Sequence, residues 1–302
     1  MGFLFSIILV SCSEKSDKKS TAWQAPDRRH HEPRRQVYSV YCAPKVYPLA
    51  SSLQDNIKAN VLKRIYTIRS YEVSPDGRLS VPSVFNLLQD IASSHALDLG
   101  VAISQLLTGK LTWVLSRIFL KMTSYPEWRD SVEIYTWPSG IQRVFALRDF
   151  DIRHKGHTIG SCISAWIIID AGTRRPVRPT PFVEQLSPAN RERVLRHPLE
   201  KLARLKDPQT EKRFFVQYRD LDINQHVNNV RYIEWLLECV VEKLETERCL
   251  AELEINFLGE AVLGDAVLSR SGPINESGTR IAHDVRRESD GQELMRARTV
   301  WI

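Results

Sequence analysis

One short stretch of the chain, residues 222–238, concentrates side chains that could activate water or bind a polar group. Its first half holds a carboxylate, an amide and an imidazole at alternate positions: Asp222, Asn224 and His226. Its second half has apolar residues at helical spacing, which predicts an amphipathic helix that starts just after the histidine. The N-terminus of a helix offers free backbone N–H groups and the positive end of the helix dipole, and both favour developing negative charge. The stretch therefore fits acid–base chemistry beside a helix start.

A simpler interpretation of these residues is a capped helix start that happens to contain a histidine. Asp and Asn tolerate turn geometry and cap helices, and histidine is common at satisfied surface positions. The density of polar side chains between Asp222 and Asn229 argues against this interpretation. We therefore treat the stretch as a candidate active-site motif.

The motif also resembles the signature of a known family. The pattern Asp222-x-Asn224-x-His226-Val227-Asn228-Asn229-x-x-Tyr232-x-x-Trp235 is similar to that of the acyl-acyl-carrier-protein (acyl-ACP) thioesterases of plants and bacteria. The resemblance covers roughly residues 62–302. Other stretches that look like family positions are Tyr71-Glu72, Trp113-Val114-x-x-Arg117, Tyr125-Pro126-x-Trp128-x-Asp130 and Arg148-Asp149-Phe150.

The resemblance implies a partner for His226 farther along the chain. Glu260 follows a predicted strand, at a place where the family has a glutamate. Many plant members have a cysteine directly after that glutamate, whereas this chain has Ala261. A cysteine nucleophile at this position is therefore excluded, and hydrolysis by activated water, without a covalent acyl-enzyme, is the expected mechanism.

In this mechanism Glu260, with His226, accepts a proton from the attacking water. Asn224 orients the water or polarises the thioester carbonyl. Asp222 positions His226 or its loop, and backbone N–H groups at the helix start stabilise the oxyanion. The sequence has no metal-ligand spacing, no glycine-rich phosphate loop and no Gly-x-Ser-x-Gly elbow, so no metal and no cofactor are expected.

The elements that would position these residues occur twice along the chain. Each copy has a strand, a turn, a long helix and four further strands. The first copy is predicted at Ile65–Val73, Val81–Leu99 (helix), Trp113–Met122, Ser131–Trp137, Val144–Arg153 and Ile159–Asp170. The second copy is predicted at Arg213–Arg219, Asn228–Leu244 (helix), Leu253–Leu258, Ala266–Arg270, Arg280–Arg287 and Leu294–Ile302.

A long apolar helix followed by antiparallel strands favours a sheet wrapped around the helix. Two copies predict an α+β double hot-dog, which is also the fold that the resemblance implies. The expected parts are a tail over 1–60, a first unit over 61–170, a linker over 171–208 and a second unit over 209–302.

The two units differ in the residues that could do chemistry. The first helix lacks the Asn/His pair, and its polar residues Gln89, Asp90 and His95 are interpreted as structural. The second unit is therefore expected to catalyse and the first to line an acyl pocket. The residues expected to contact the substrate are Trp113, Leu115, Phe119, Asn228 and Asn229.

The linker is rich in proline and arginine, and a short helix is predicted near Pro188–Arg196. Its basic side chains fit either a solvated face or a landing surface for an acidic acyl carrier protein that bears the acyl chain on phosphopantetheine. These side chains are Arg174, Arg175, Arg178, Arg191, Arg193, Arg196 and Arg204.

Charge and cysteine usage limit the remaining possibilities. The 302 residues carry a net charge of +6, but the first 60 hold nine Lys/Arg and five Asp/Glu, a net of +4. This distribution is no nucleic-acid footprint. No apolar run is long enough for a membrane span. Five scattered cysteines, with no CxxC pair, favour reduced thiols and a cytoplasmic protein.

The N-terminus favours a different location. Phe3–Val10 is apolar and Ser11-Cys12 follows it, a pattern that resembles a bacterial lipoprotein box. No Lys or Arg precedes the apolar run, which a secretory signal normally has. Membrane anchoring through Cys12 therefore stays an alternative to the cytoplasm.

The sequence favours release of a free fatty acid from acyl-ACP. An acyl-CoA thioesterase is the alternative within enzymes, and a non-catalytic acyl-binding hot-dog protein is the alternative outside them. The Asp222, Asn224, His226 and Glu260 set argues against the binding protein, which would not need it. The sequence leaves open the acyl-chain length and whether two chains associate through exposed sheet edges.

Overall fold

A computed structural model describes residues 60–178, 191–240 and 248–302. The tail expected over 1–60 lies outside these ranges except for Asn60, and so does Cys12, the alternative lipidation site. The strands of the first unit are β1 Leu62–Thr67, β2 Leu111–Met122, β3 Ser131–Gln142, β4 Phe145–His154, β5 His157–Asp170 and β6 Pro176–Val177. Those of the second are β7 Thr210–Phe215, β8 Leu250–Phe257, β9 Ala266–Pro273, β10 Arg280–Arg287 and β11 Glu293–Trp301. The helices are α1 Val81–Asp98, α2 Ile103–Leu106 and α3 Asn229–Val240, with 3-10 turns at Leu107–Gly109 and Tyr218–Asp220.

These strands form one antiparallel sheet with the same strand order in both units. Read from the outer edge of the sheet to the junction, the order is β1-β3-β4-β5-β2 in the first unit and β7-β9-β10-β11-β8 in the second. Each unit therefore places its strands in the same way, and the last strand of each order lies at the junction. The units join where β2 pairs with β8, from Arg117 opposite Asn256 to Lys121 opposite Glu252. This topology confirms the predicted double hot-dog.

Both long helices pack on the same face of the sheet, here called the inner face. Helix α1 buries Val84, Leu88 and Ile91, and α3 buries Ile233 and Leu236, in one hydrophobic core that spans the two units. Each of these side chains contributes about 1.5–3 kcal/mol when it is removed from water. The apolar stripe of each helix thus fixes which of its residues face the sheet.

The ends of α1 follow from local chemistry. The Ser80 hydroxyl accepts a hydrogen bond from the N–H of Ser83 at 3.2 Å, which caps the helix start. After the helix, Gly100 has a φ of 75°, a left-handed conformation that favours glycine and stops the helix.

The opposite, outer face is covered by part of the linker, residues 191–204, here called the crossing segment. The amide of Asn256 in β8 accepts the N–H of Leu202 at 2.7 Å and donates to the carbonyl of Glu200 at 3.2 Å. The Asp149 carboxylate in β4 accepts the N–H of Val194 at 3.0 Å. Since β4 and β8 belong to different units, the crossing segment ties the two units together.

The expected short helix near 188–196 is wrong for its described part, 191–196, which has no regular secondary structure and a bend at Val194. There the N–H of Val194 bonds the Asp149 carboxylate instead of a helical carbonyl. The second long helix is described to Val240, and the rest of its predicted span lies outside the described residues.

Two basic residues of the linker form ion pairs with carboxylates of the sheet. Arg191 lies 3.1 Å from the Asp151 carboxylate, and Arg193 lies 3.3 Å from that of Asp149. Both carboxylates are buried, so these arginines neutralise charges on the outer face of the sheet.

The strand expected over 65–73 ends at Thr67 instead. The Glu72 carboxylate accepts the N–H of Arg69 at 2.8 Å and closes a turn there. Hydrophobic alternation cannot report such a side-chain turn, so the prediction extended the strand too far.

The strand expected over 213–219 also ends early, at the end of β7. The Asp220 carboxylate accepts the N–H of Gln217 at 2.8 Å, and a 3-10 turn follows. Within the three described ranges, no helix is both long and apolar enough to cross a membrane.

Candidate active site

The motif loop is a tight turn organised by one carboxylate. Asp222 Oδ1 accepts the backbone N–H groups of Asn224 at 2.8 Å and of His226 at 3.3 Å. The N–H of Asp222 returns a 2.8 Å bond to the carbonyl of His226, and Gln225 takes a left-handed φ of 64°. Asp222 was expected to position either His226 or the loop, and its observed contacts are with the backbone of the loop.

The loop of Glu260 is fixed against the start of α3. The N–H of Val227 donates to the carbonyl of Ala261 at 3.0 Å. The N–H of Ala261 donates to the Tyr232 hydroxyl at 2.9 Å, and Arg287 donates to the backbone carbonyl of Glu260 at 2.6 Å. Burial raises the pKa of Tyr232, so its hydroxyl stays protonated. Three successive backbone groups thus hold this loop in place.

This arrangement brings His226 and Glu260 together. His226 Nε2 lies 3.5 Å from Glu260 Oε2, and each side chain is about one-third exposed, 33% and 32%. The pair is therefore close enough to share a proton through a water molecule and open enough to meet a substrate. Asn224 lies in the same loop, where its Nδ2 donates to Asp222 Oδ2 at 3.3 Å.

Arg174 is a site residue that the sequence reasoning missed. Its guanidinium forms an ion pair with the Glu260 carboxylate. Arg174 lies in the turn between β5 and β6, where its φ is 59° and its N–H donates to the carbonyl of Asp170 at 2.8 Å. The first unit therefore supplies a charge to the site of the second. Arg174 and Glu260 are 86 positions apart, so the sequence has no local signal for this contact.

The helix start offers fewer free N–H groups than expected. The N–H of Val227 bonds Ala261, that of Asn228 bonds the carbonyl of Asp220 at 2.8 Å, and that of Val230 bonds the Asn228 side chain at 2.9 Å. Asn228 is thus the helix cap, and its side chain does not line the cavity. Among the described residues, the N–H of Asn229 has no acceptor.

A largely apolar cavity of about 360 Å³ begins beside the motif. Two residues that flank His226 in the sequence, Ile223 and Asn229, line this cavity at its mouth. The Ile223 side chain is 84% exposed. Trp113 and Leu115 line it as expected, and Trp113 is fixed by a 2.8 Å bond from its Nε1 to the carbonyl of Val101. An extended apolar chain fits a cavity of this character.

Phe119 is wrongly predicted as a pocket residue. It lies on the outer face, where its ring stacks on His197 with ring centroids 3.9 Å apart. A β-bulge between Leu115 and Arg117 inserts one residue into β2. The bulge reverses the alternation, so Ile118 lines the cavity and Phe119 points away.

Metal-binding clusters are not found in the part of the chain that the structure describes: no three or more His, Cys, Asp or Glu side chains are grouped to hold an ion. The site therefore consists of a His–Glu pair, an amide, a turn carboxylate and an arginine. These five residues are not part of the cavity lining, which their sequence neighbours Ile223 and Asn229 join.

The fold and this site define a tandem hot-dog protein of the thioester hydrolase class, and solved structures support that class. The 12:0-ACP thioesterase from Umbellularia californica is 27% identical with a TM-score of 0.73, covering 80% of this chain and 97% of the other. An acyl-ACP thioesterase from Bacteroides thetaiotaomicron is 25% identical with a TM-score of 0.72, covering 81% and 99%.

Sequence comparisons identify the family. The profile of the acyl-ACP thioesterase N-terminal domain matches residues 59–185, and that of the C-terminal domain matches residues 203–302. The chain belongs to the acyl-ACP thioesterase family. It is 30% identical to the chloroplastic oleoyl-acyl carrier protein thioesterase 1 of Arabidopsis thaliana, over 79% of this chain and 75% of the relative. It is also 30% identical to the chloroplastic dodecanoyl-[acyl-carrier-protein] hydrolase of Cinnamomum camphora, over 80% and 67%.

Proposed function

We propose that this protein releases free fatty acid from acyl-ACP by hydrolysing the thioester that joins the acyl chain to the phosphopantetheine arm. The observation that carries the proposal is the His226–Glu260 pair, whose histidine lies in the sequence between two residues of the cavity lining, Ile223 and Asn229. Family membership supports the same reaction. The acyl chain would enter the cavity along Trp113 and Leu115 and leave its thioester at the mouth.

In the proposed mechanism, water attacks the thioester carbonyl. Glu260, with His226, takes the proton of that water and later returns it to the departing thiolate. Asn224 orients the water or polarises the carbonyl. The N–H of Asn229 donates to the oxyanion, and a donor of this kind is typically worth about 3 kcal/mol. Asp222 holds the loop that carries both Asn224 and His226.

Glu260 acts here as a base that is oriented from two sides. His226 lies on one side and Arg174 on the other, so the carboxylate has a fixed direction before the substrate arrives. Such preorganisation is a large part of catalysis, since a misplacement of about 1 Å can cost roughly 100-fold in rate.

The proposed partner is an acidic acyl carrier protein, and the proposed location is the cytoplasm. Arg175, Arg178, Arg196 and Arg204 are the exposed arginines of the linker that remain for a carrier landing surface. Anchoring through Cys12 is the alternative location, and the oligomeric state stays open, a homodimer included. Cell fractionation of the full chain and of a Cys12→Ala variant would decide the location, and light scattering would give the oligomeric state.

The function is tested by following thiol release from acyl-ACP and acyl-CoA of matched chain length. We expect rapid release from acyl-ACP and a loss of at least about 100-fold in the His226→Ala variant. His157→Ala, which changes an exposed histidine in β5, is the matched control and should keep full activity.

Each outcome has a distinct meaning. Faster turnover of acyl-CoA than of acyl-ACP would move the substrate to coenzyme A. Tight binding of acyl chains without thiol release from either substrate would leave a non-catalytic acyl-binding protein. Equal activity of His226→Ala and the full chain would remove His226 from the mechanism.

A further inference from the structure

Among the described residues, one charged residue borders the largely apolar cavity. It is Arg148 in β4, which lines the cavity together with Phe150 and Pro138. The neighbouring Asp149 points to the outer face, where it binds Val194 of the crossing segment. The strand alternation thus separates the arginine from the carboxylate beside it in the sequence.

The partners of Arg148 on the inner face are neutral. Its Nη1 lies 3.0 Å from His95 Nδ1 and 3.2 Å from the Thr136 hydroxyl. No carboxylate in the described ranges lies within ion-pair distance of Arg148. Its Nε and Nη2 groups also have no acceptor there, so two sides of the guanidinium are left without a protein partner.

The protonation states make this arrangement unusual. Burial lowers the pKa of Arg148 to about 10, so the arginine remains charged at neutral pH. Burial, and then the nearby Arg148 charge, lowers the pKa of His95 to about 3, so that ring is neutral. A buried cation is costly unless it is hydrogen-bonded or paired. The cavity thus contains hydrogen-bond donors that a plain hydrocarbon chain would leave unsatisfied.

We propose that Arg148 selects acyl chains that carry a hydroxyl or oxo oxygen, to which its free N–H groups donate. The inference rests on the proposed function, because the acyl chain is taken to occupy this cavity. A neutral oxygen is sufficient, since the donor is already charged and charge-assisted hydrogen bonds are the strong ones. Most of the remaining lining is apolar and would accept the hydrocarbon on both sides of the oxygen. The other polar residues of the lining are uncharged: Gln89, Ser93, Ser104, Ser164 and Asn229.

The test compares acyl-ACP substrates of one chain length that differ only in an oxygen. One is unsubstituted, and a series carries a hydroxyl at successive positions. We expect the full chain to hydrolyse one hydroxylated substrate with a kcat/KM roughly 10-fold or more above the unsubstituted one. Arg148→Met should remove the preference, so that the kcat/KM of the variant for the hydroxylated substrate falls to its kcat/KM for the unsubstituted one. Arg143→Gln, at an exposed arginine in the turn between β3 and β4, should keep the preference.

A second measurement keeps the test independent of turnover and of folding. The full chain should bind free hydroxylated fatty acids more tightly than unsubstituted ones. If Arg148→Met does not fold, Arg148→Lys replaces it and should show the same preference in a weaker form. No preference at any position, with normal hydrolysis of the unsubstituted chain, would overturn the inference and leave the proposed function intact. A preference that Arg148→Met preserves would also overturn it. If no acyl-ACP is hydrolysed, the proposed function fails, and the binding preference alone decides on Arg148.

Discussion

Glu260 is held between side chains that come from different units of the fold. His226 belongs to the second unit, while Arg174 reaches across from a turn of the first. The chain thus uses one unit for the motif and both units for the direction of the carboxylate. Arg174 touches no reacting atom in the proposed mechanism, so its expected role is to position Glu260.

Replacement of Arg174 by alanine is therefore expected to lower kcat by roughly 10- to 100-fold and to change KM much less. Arg174→Lys should restore part of kcat, because it returns the positive charge without the planar fork. Steady-state kinetics with acyl-ACP measure both effects. Lys155→Ala, at an exposed basic residue that also has a left-handed φ in a turn of the first unit, is the control. A change confined to KM would instead place Arg174 in substrate docking.

The buried side chain of His283 should make the stability of the protein depend on pH. Its ring is buried and bonded to the Ser271 and Thr299 hydroxyls at 2.7 and 2.9 Å, and burial lowers its pKa from 6.5 to about 3. In the unfolded chain the His283 ring is protonated near its ordinary pKa, whereas in the folded chain the ring stays neutral until the pH falls to about 3. The stability that depends on the neutral ring is therefore complete above pH 6.5 and is lost as the pH falls toward 3.

We accordingly expect His283→Asn to flatten the acid limb of the stability curve. The titration of one such histidine changes the free energy of unfolding by up to about 1.4 kcal/mol per pH unit. Urea unfolding between about pH 6 and 4 measures the slope for the full chain and the variant. His157→Asn, at an exposed histidine, should keep the original slope, and an unchanged slope in His283→Asn would contradict the prediction.

The sequence predicted the motif residues better than their surroundings. The resemblance pointed to His226 and Glu260 together, although 34 positions separate them in the numbering of the chain. Arg174 carried no such pattern. Arg148 belongs to a stretch that resembles the family, but the stretch did not indicate its role, because the partners of both arginines are distant in the sequence. A lone arginine looks the same whether it faces water, a carboxylate or a cavity.

At the scale of elements, the position and type of the long helices and most strands followed from periodicity. The exceptions have local causes that periodicity does not contain. The bulge after Leu115 moved Phe119 to the outer face, and side-chain turns at Glu72 and Asp220 ended two strands early. A one-residue insertion reverses every later side chain of a strand, so one unseen bulge was enough to misplace a pocket residue.

The contact of the crossing segment with β8 depends on Asn256. Asn256 is 2% exposed and holds Leu202 and Glu200 through two hydrogen bonds. Asn256→Ala should lower the free energy of unfolding by about 1–3 kcal/mol, because it leaves buried backbone groups unpaired. It should also speed proteolysis within residues 197–206. Asn86→Ala, on the exposed side of α1, should change the free energy of unfolding by less than about 0.5 kcal/mol.

At the scale of the whole molecule, the repeat was visible in the sequence but the junction was not. The order of elements predicted two similar units, while the choice of β2 and β8 as the joined strands depends on which edges remain open after each unit closes. The junction places Leu120 opposite Leu253, and both are fully buried. The inner core likewise runs through both units. The two units should therefore unfold together.

Leu253→Ala tests this cooperativity. The cavity that it leaves should lower the free energy of unfolding by about 2–5 kcal/mol. Leu263→Ala, at a side chain that is 56% exposed, should change it by less than about 0.5 kcal/mol. Hydrogen–deuterium exchange on β4 and on β10 reports the two units separately, and Leu253→Ala should reduce protection equally in both. A loss confined to β10 would show that the second unit opens alone, and the site shared between Arg174 and Glu260 would then come apart before the first unit unfolds.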